Sequence, residues 1–292
     1  MAPTTDPNSI HFAIPKGRMY DGVIRLLADA GVRVSSTSRD YRPSVNAEGF
    51  ETKILKPRAI IEMLDSGARD LGFAGADWVA EDGADLVEVL DTGLDRVRLV
   101  AAAPESILDS AGRLPARRLV VASEYAEITR RWIASRGMDA ELLVSYGATE
   151  VLPPEDADCI VDNTATGSTL SANNLRIIDE LMVSTTRLYA SRRAMESASK
   201  RGRIEEFAML VRSVLEARRR VMIELNVPAD RLDAVVEVLP CMRDPTIAPL
   251  RGSGGYAVKA AVLRDQLPAV IVAVKARGGT DIVVTTPEQI VL

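Results

Sequence analysis

A short run in the middle of the chain has the residue types and order that sugar-phosphate chemistry needs. An apolar stretch, Cys159-Ile160-Val161, delivers Asp162, and Asn163, Thr164, Ala165, Thr166, Gly167, Ser168, Thr169 and Leu170 lead from it into a helical pattern. Glycine lets the backbone approach an anion, Thr166, Ser168 and Thr169 add hydroxyl donors, and the first turn of a helix carries N–H groups with no intrahelical acceptor. Asp162, at the strand end, is placed to accept hydrogen bonds from the vicinal hydroxyls of a sugar. An ordinary capped strand-to-helix turn uses the same residue types, so on composition alone both readings stand.

A second run, Lys16-Gly17-Arg18, follows the apolar residues 10–14. Two cations around a glycine suit a pyrophosphate or triphosphate, because charge-assisted bonds to phosphate are strong and glycine permits close approach. A solvated turn has the same composition. Other chemistries are poorly supplied. The single histidine, His11, lies within the strand pattern 10–14, which leaves a Ser-His-Asp hydrolase without its base. Cys159 and Cys241 make neither a disulfide framework nor a zinc motif. Against 36 Lys and Arg stand 41 Asp and Glu, a net charge of −5. That argues against a general nucleic-acid or anionic-membrane surface and leaves room for a local basic pocket. Apolar runs such as 99–103 and 269–274 are far too short to span a bilayer. The polar, Pro-containing residues 1–9 lack a signal-peptide pattern. A reduced, cytoplasmic chain is expected.

These residues need elements to hold them, and apolar periodicity supplies an alternating series. Residues 10–14 read as a buried strand. Met19, Val23, Leu26, Leu27 and Ala30 recur at helical spacing, with Gly31 where a C-cap glycine belongs. Pro57 opens a helix with Ile60, Ile61 and Leu64 on one face, ending near Gly67. Strands follow at 70–74 and 98–103. A second series has a strand at 119–122, a helix with Tyr125, Ile128, Trp132 and Ile133 stopped by Gly137, and strands at 142–144 and 159–161. Trp78 and Trp132 sit at helical positions and read as core. Strands alternating with helices predict an α/β fold with mostly parallel sheets. The pattern changes near residue 218. Residues 194–220 read as a long helix ending in Arg218, Arg219 and Arg220, charges that suit a helix C-terminus. Beyond it, strand 221–225, helix 228–239, strands 246–250 and 256–262, helix 267–276 and strand 282–285 make the ferredoxin-like β-α-β-β-α-β unit, a small separate domain.

The order D-x-x-x-T-G-x-T-L after a strand, from Asp162 to Leu170, resembles the phosphoribosyl-pyrophosphate (PRPP) loop of phosphoribosyltransferases. The purine-salvage type usually carries a second acid where this chain has Asn163. The ATP phosphoribosyltransferase family does not need it, and the rest of the chain is similar to that family in order. The matching segments are Ile14-Pro15-Lys16-Gly17-Arg18-Met19, Ser38-Arg39-Asp40-Tyr41, Leu55-Lys56-Pro57-Arg58 and the run from Asp70 to Trp78. Arg96-Val97-Arg98-Leu99-Val100 and Gly147-Ala148-Thr149-Glu150 follow, then Pro245 to Leu250 in the C-terminal unit. The resemblance covers nearly the whole chain and is to the long, histidine-regulated form. Three departures stand out: Met19 for Leu, Phe73-Ala74 for Ile-Thr, and Lys56 for Arg, which keeps the charge and loses the bidentate fork.

The resemblance implies an α/β fold: a two-domain periplasmic-binding-protein-like catalytic core plus a C-terminal ferredoxin-like (ACT-like) domain. Domain I would take residues 1–100 and 182–217, domain II 101–181, and the regulatory domain 218–292. The implied reaction joins ATP and PRPP to give N1-(5-phospho-β-D-ribosyl)-ATP and pyrophosphate, the first step of histidine biosynthesis. Its cofactor is Mg²⁺, held mainly by substrate phosphates. Lys16, Arg18 and Asp162 are the implied catalytic residues. Gly17, Arg58, Asp77, Arg96, Glu150 and the loop residues Ala165, Thr166, Gly167, Ser168 and Thr169 are the implied substrate contacts. Asn226, Met242, Thr246, Val262 and Asp281 match an inhibitory L-histidine pocket. The implied assembly is a homo-hexamer built from dimers, with AMP or ADP as further candidate effectors. Two rivals stand beside this reading: a cytoplasmic two-domain ligand sensor without catalysis, and a purine-salvage-type phosphoribosyltransferase.

Overall fold

The computed structural model describes residues 8–35, 41–252 and 254–292. Of the segments singled out above, most of the N-terminal stretch and Ser38, Arg39 and Asp40 lie outside the described residues. Chain order in the first two thirds begins with β1 (Ile10–Pro15), α1 (Tyr20–Asp29), the short pair β2 (Val34–Ser35) and β3 (Ser44–Val45), β4 (Phe50–Leu55) and α2 (Pro57–Asp65). It continues with β5 (Leu71–Gly75), α3 (Ala76–Asp82), β6 (Leu86–Pro104), β7 (Leu119–Ser123), α4 (Ala126–Ser135) and β8 (Ala140–Val144). Then come β9 (Cys159–Thr164), α5 (Ser168–Ala172), β10 (Leu175–Ser191) and α6 (Arg192–Glu196).

Eight of these strands form one sheet in the order β4-β1-β5-β10-β6-β9-β7-β8. β1 is parallel to β4 and β5, and β7 is parallel to β8 and β9, so each end of the sheet is a parallel α/β set. The middle is antiparallel, because β10 pairs with β5 and β6, and β6 with β9. The sheet is therefore more mixed than the alternating pattern predicts. The cause is the length of β6 and β10, 19 and 17 residues, which link the two sets. The strand expected at 98–103 is the last part of β6. No strand is expected over 175–191, where Arg176, Asp179, Glu180, Thr185 and Arg187 interrupt the apolar run that marks a buried strand.

Packing aims the ends of the parallel strands. Pro57 starts α2 with its φ already helical, and Ile60, Ile61 and Leu64 are at most 1% exposed. Each such burial contributes about 1.5–3 kcal/mol. They pack on Ala13 and Ala74, which fixes the ends of β1 and β5. In the other set, Val121, Cys159 and Val161 pack on Tyr125, Ile128 and Trp132, fixing the ends of β7 and β9.

The chain divides into two compact units, Met1–Arg25 with Val32–Glu206, and Leu26–Gly31 with Phe207–Leu292. The division falls inside α7 (Ala198–Arg219). Ser197, with extended backbone (ψ 114°), separates α7 from α6, so the single helix expected over 194–220 is two. The remaining elements are β11 (Arg220–Pro228), α8 (Leu232–Val236), β12 (Thr246–Pro249), β13 (Gly255–Leu263), α9 (Leu267–Ala276) and β14 (Thr280–Thr285). Their sheet order, β12-β13-β11-β14, is wholly antiparallel and ferredoxin-like. Val221, Ile223, Leu225 and Val227, alternating along β11, are buried with Val258, Val262, Val270 and Val274. Among the described residues no helix is long and apolar enough to cross a membrane.

Candidate active site

β9 leads into the loop that carries most of the chemistry. Thr164 Oγ1 accepts the N–H of Gly167 at 2.9 Å. Thr166 Oγ1 lies 2.9 Å from Ser168 Oγ and accepts the N–H of Ser168 at 3.3 Å. These bonds close a tight turn that Gly167 completes at φ +83°, where an L side chain costs about 1–2 kcal/mol. A β-carbon at 167 would point toward Ile177, 3.8 Å away. The glycine therefore serves the backbone conformation, where close anion approach was the expected reason. Ala165, Thr166, Ser168 and Thr169 are exposed and front a cavity of ≈ 420 Å³, whose walls include Asp162, Glu124, Glu150 and Arg18. Burial raises the Asp162 carboxyl to about 6, helped by repulsion from Glu150 and Glu124 and opposed by the N–H of Asn163 at 2.7 Å. Glu150 stands in a single turn entered through Ala148 at φ +49°.

Arg18 and Asn163 also line an adjoining cavity of ≈ 170 Å³, together with Lys16, Asp77, Trp78 and Tyr125. Lys16 and Arg18 leave the end of β1 on either side of Gly17, which takes φ +87°. Asp77, at the start of α3, is 7% exposed and fully engaged. Ser184 Oγ donates to one of its oxygens (2.8 Å) and the Tyr125 hydroxyl to the other (2.7 Å). Asn163 Nδ2 donates to the Tyr125 hydroxyl in turn (2.9 Å). Burial first, then the Asp77 charge, push the Tyr125 phenol well above its ordinary pKa. Trp78 stacks on Tyr125 with ring centroids 4.5 Å apart, and the Arg58 guanidinium lies 4.5 Å from the Trp78 ring while pairing with Asp82 at 2.9 Å. Arg58 thus sits beside the second cavity, and the exposed Arg96 lines neither.

Tyr125, Glu124 and Asn163 are site residues that sequence reasoning missed. Tyr125 shares helical spacing with Ile128 and Trp132, which favours a core reading. The available signal was its position just after β7, since α/β sheets present ligand-facing residues beyond their carboxyl ends. Glu124, Glu150 and Asp162 offer oxygen donors, and among the described residues no group of three or more His, Cys, Asp or Glu is arranged to hold a metal ion. Such a set fits Mg²⁺ carried on substrate phosphates with a carboxylate alongside.

The five positions matched to a histidine pocket do not converge within one chain. Asn226 Nδ2 donates to Asp281 at 3.0 Å. Bonds from Asn226 and Thr280 hold the Asp281 carboxyl below the usual range. Val262 is 1% exposed in the domain core, Met242 donates its N–H to Ala261, and Thr246 lies on the exposed strand β12. Asn226 faces Ala257 across the ladder, so Val262 is five residues further along β13, about 17 Å at the strand rise.

The fold is a two-set α/β core with a ferredoxin-like C-terminal unit, and the loop after β9 fronts a cavity that Arg18 also lines. The family model of ATP phosphoribosyltransferase matches residues 56–213, and that of the HisG C-terminal domain matches residues 217–288. An ATP phosphoribosyltransferase of Pelotomaculum thermopropionicum is 36% identical over 280 residues, 94% of this chain and 96% of its own. Another, of Chlorobaculum parvum, is 36% identical over 261 residues, 87% of this chain and 88% of its own. The solved ATP phosphoribosyl transferase (HisG:HisZ) complex of Thermotoga maritima is similar at TM-score 0.62 and 27% identity, over 71% of this chain and 98% of that one. The chain belongs to the ATP phosphoribosyltransferase family. It catalyses the first step of histidine biosynthesis, and its C-terminal domain implies regulation by histidine. The purine-salvage and sensor readings are set aside.

Proposed function

We propose that the ≈ 420 Å³ cavity binds PRPP. Ala165, Thr166, Gly167, Ser168 and Thr169 wrap the 5-phosphate, and Asp162 accepts hydrogen bonds from the ribose hydroxyls. Lys16, Gly17 and Arg18 meet the pyrophosphate or the triphosphate of ATP. One observation carries this reading: Arg18 lines both cavities, so the fixed cations and the sugar-phosphate loop share one space. The chemistry asks for that. Adenine N1 attacks C1 as the C1–O bond to pyrophosphate breaks, and the bonding electrons leave on the pyrophosphate oxygen. Alignment and fixed cations answer the charge that develops, and no histidine base is needed. Mg²⁺ on the substrate phosphates, when bound, neutralises part of the leaving-group charge, with Glu150 and Glu124 as nearby carboxylates. Asp77 acts by holding Tyr125 and Ser184 in place. Arg58 and Arg96 are outlying cations that help draw in two polyanions.

On this reading residues 1–100 and 182–217 form domain I and residues 101–181 domain II of a cytoplasmic enzyme, with β6 and β10 as the crossings. Residues 218–292 form the regulatory domain. The separation of Asn226 and Asp281 from Met242 and Val262 supports a histidine site completed between copies, in a homo-hexamer built from dimers. AMP and ADP are the further effectors to titrate.

Gly167 tests the loop. With a side chain forced to φ +83°, Gly167→Val should weaken PRPP binding, read by calorimetry, about tenfold or more. Gly167→Asn, a residue that tolerates this conformation, should retain most of the binding. A valine variant that binds PRPP like the parent, and releases pyrophosphate from ATP, PRPP and Mg²⁺ at the parent's rate, puts the cradle elsewhere.

A further inference from the structure

We propose that Tyr41 is a positioning residue for Lys16, presetting its ammonium group for substrate phosphate; this rests on the role proposed above for Lys16. One strand end builds the pair. The N–H of Lys16 donates to the carbonyl of Leu55 at 2.7 Å, and the N–H of Ile54 donates to the carbonyl of Tyr41 at 2.9 Å. Consecutive residues of β4 therefore anchor both backbones. The side chains then meet: Lys16 Nζ donates to the Tyr41 hydroxyl at 3.1 Å and lies 5.0 Å from the centre of its ring.

An ammonium group on a flexible four-carbon stem samples many directions, and most of that freedom is lost when it grips a phosphate. A tyrosine hydroxyl that already accepts a bond from it reduces the loss. Two of the three N–H donors stay available to a substrate oxygen. Lys16 lines the ≈ 170 Å³ cavity, so the residue that Tyr41 holds belongs to the site. Tyr41 is 59% exposed, and replacing it leaves the core intact.

The test is a double-mutant cycle in the full-length enzyme, with pyrophosphate release measured at limiting PRPP and at limiting ATP. Tyr41→Ala should lower kcat/KM about three- to fivefold, the size expected of one hydrogen bond, with an unchanged melting temperature. Tyr41→Phe removes only the hydroxyl and should lose as much; parent kinetics in that variant overturn the inference. Lys16→Ala combined with Tyr41→Ala should match Lys16→Ala alone, since without the ammonium group Tyr41 has nothing to position. Losses that multiply in the double variant overturn the inference and make Tyr41 a substrate contact in its own right. Parent kinetics in Tyr41→Ala also overturn it. Parent kinetics in Lys16→Ala are a separate failure: Lys16 then leaves the site, and the inference falls with the reading beneath it.

Discussion

Asp162 makes the site sensitive to acid. Its carboxyl, raised to about 6 from an ordinary 3.8, is ionised in the folded enzyme only above that pH. An acceptor for ribose hydroxyls must be ionised, so kcat/KM for PRPP should be half-maximal near pH 6, level off about a unit above it, and fall about tenfold per unit well below it. Stability runs the other way. The folded state holds this proton more tightly than the unfolded chain, so Asp162 adds stability at low pH that is lost as pH rises from 3.8 to about 6. Asp162→Asn, neutral throughout, should lower activity at neutral pH and flatten the acid limb of the kcat/KM profile. If the limb persists unchanged in that variant, another group titrates there.

Between elements, the contact of α3 with α4 is the one most open to measurement. Tyr125, at the N-cap of α4, supplies no side-chain cap. Glu81 of α3 does it instead: its carboxylate, 8% exposed, accepts the N–H groups of Glu127 at 2.9 Å and Ile128 at 3.0 Å. Glu81→Ala strands both donors, which should cost about 2–3 kcal/mol and lower the thermal midpoint by about 5–10 °C. Glu81→Gln should lose less, and an unchanged midpoint in the alanine variant would show that water caps the helix as well. Elements of this kind divide by how readable they were. α2 announces itself through Pro57 and three apolar residues on one face, and β5 and β9 through short apolar runs closed by a polar or glycine residue. The cap by Glu81 has no local signal, because the two partners are 46 residues apart. β10 was hidden for another reason. A strand that crosses from one packed set to another meets changing surroundings, so its residues follow neither a buried run nor a clean alternation. The same logic separates Asp162 and its loop, legible as a contiguous motif, from Tyr125, whose role comes from Asp77 and Asn163 at distant positions.

At the scale of the molecule, regulation is the property to test. Histidine should inhibit the intact enzyme without competing with PRPP. Asp281→Asn, which removes the one carboxylate among the matched pocket positions, should raise the half-inhibitory concentration about tenfold. Millimolar histidine that changes neither the rate nor the oligomer size would reduce the C-terminal domain to an assembly device. Truncation is a poor route to this answer. Phe207, Val211 and Val214 are at most 4% exposed and belong to the same compact unit as the regulatory sheet. A cut near 217 would divide that compact unit, so point variants of the full chain are the cleaner instrument.

The chain has two tryptophans, and their settings make a natural optical pair. Trp132 is 8% exposed, has its indole N–H fixed to Asp179 at 2.8 Å and lines neither of the two site cavities, so its emission should serve as the steadier reference. Trp78 is half-buried, stacked on Tyr125, faced by Arg58 and part of a cavity wall, so its emission changes when a ligand displaces any of those neighbours. Excitation selective for indole then reads one steady lamp and one responsive lamp in a single spectrum. Binding of each substrate can be followed in real time on unlabelled protein, and Trp132→Phe removes the constant background.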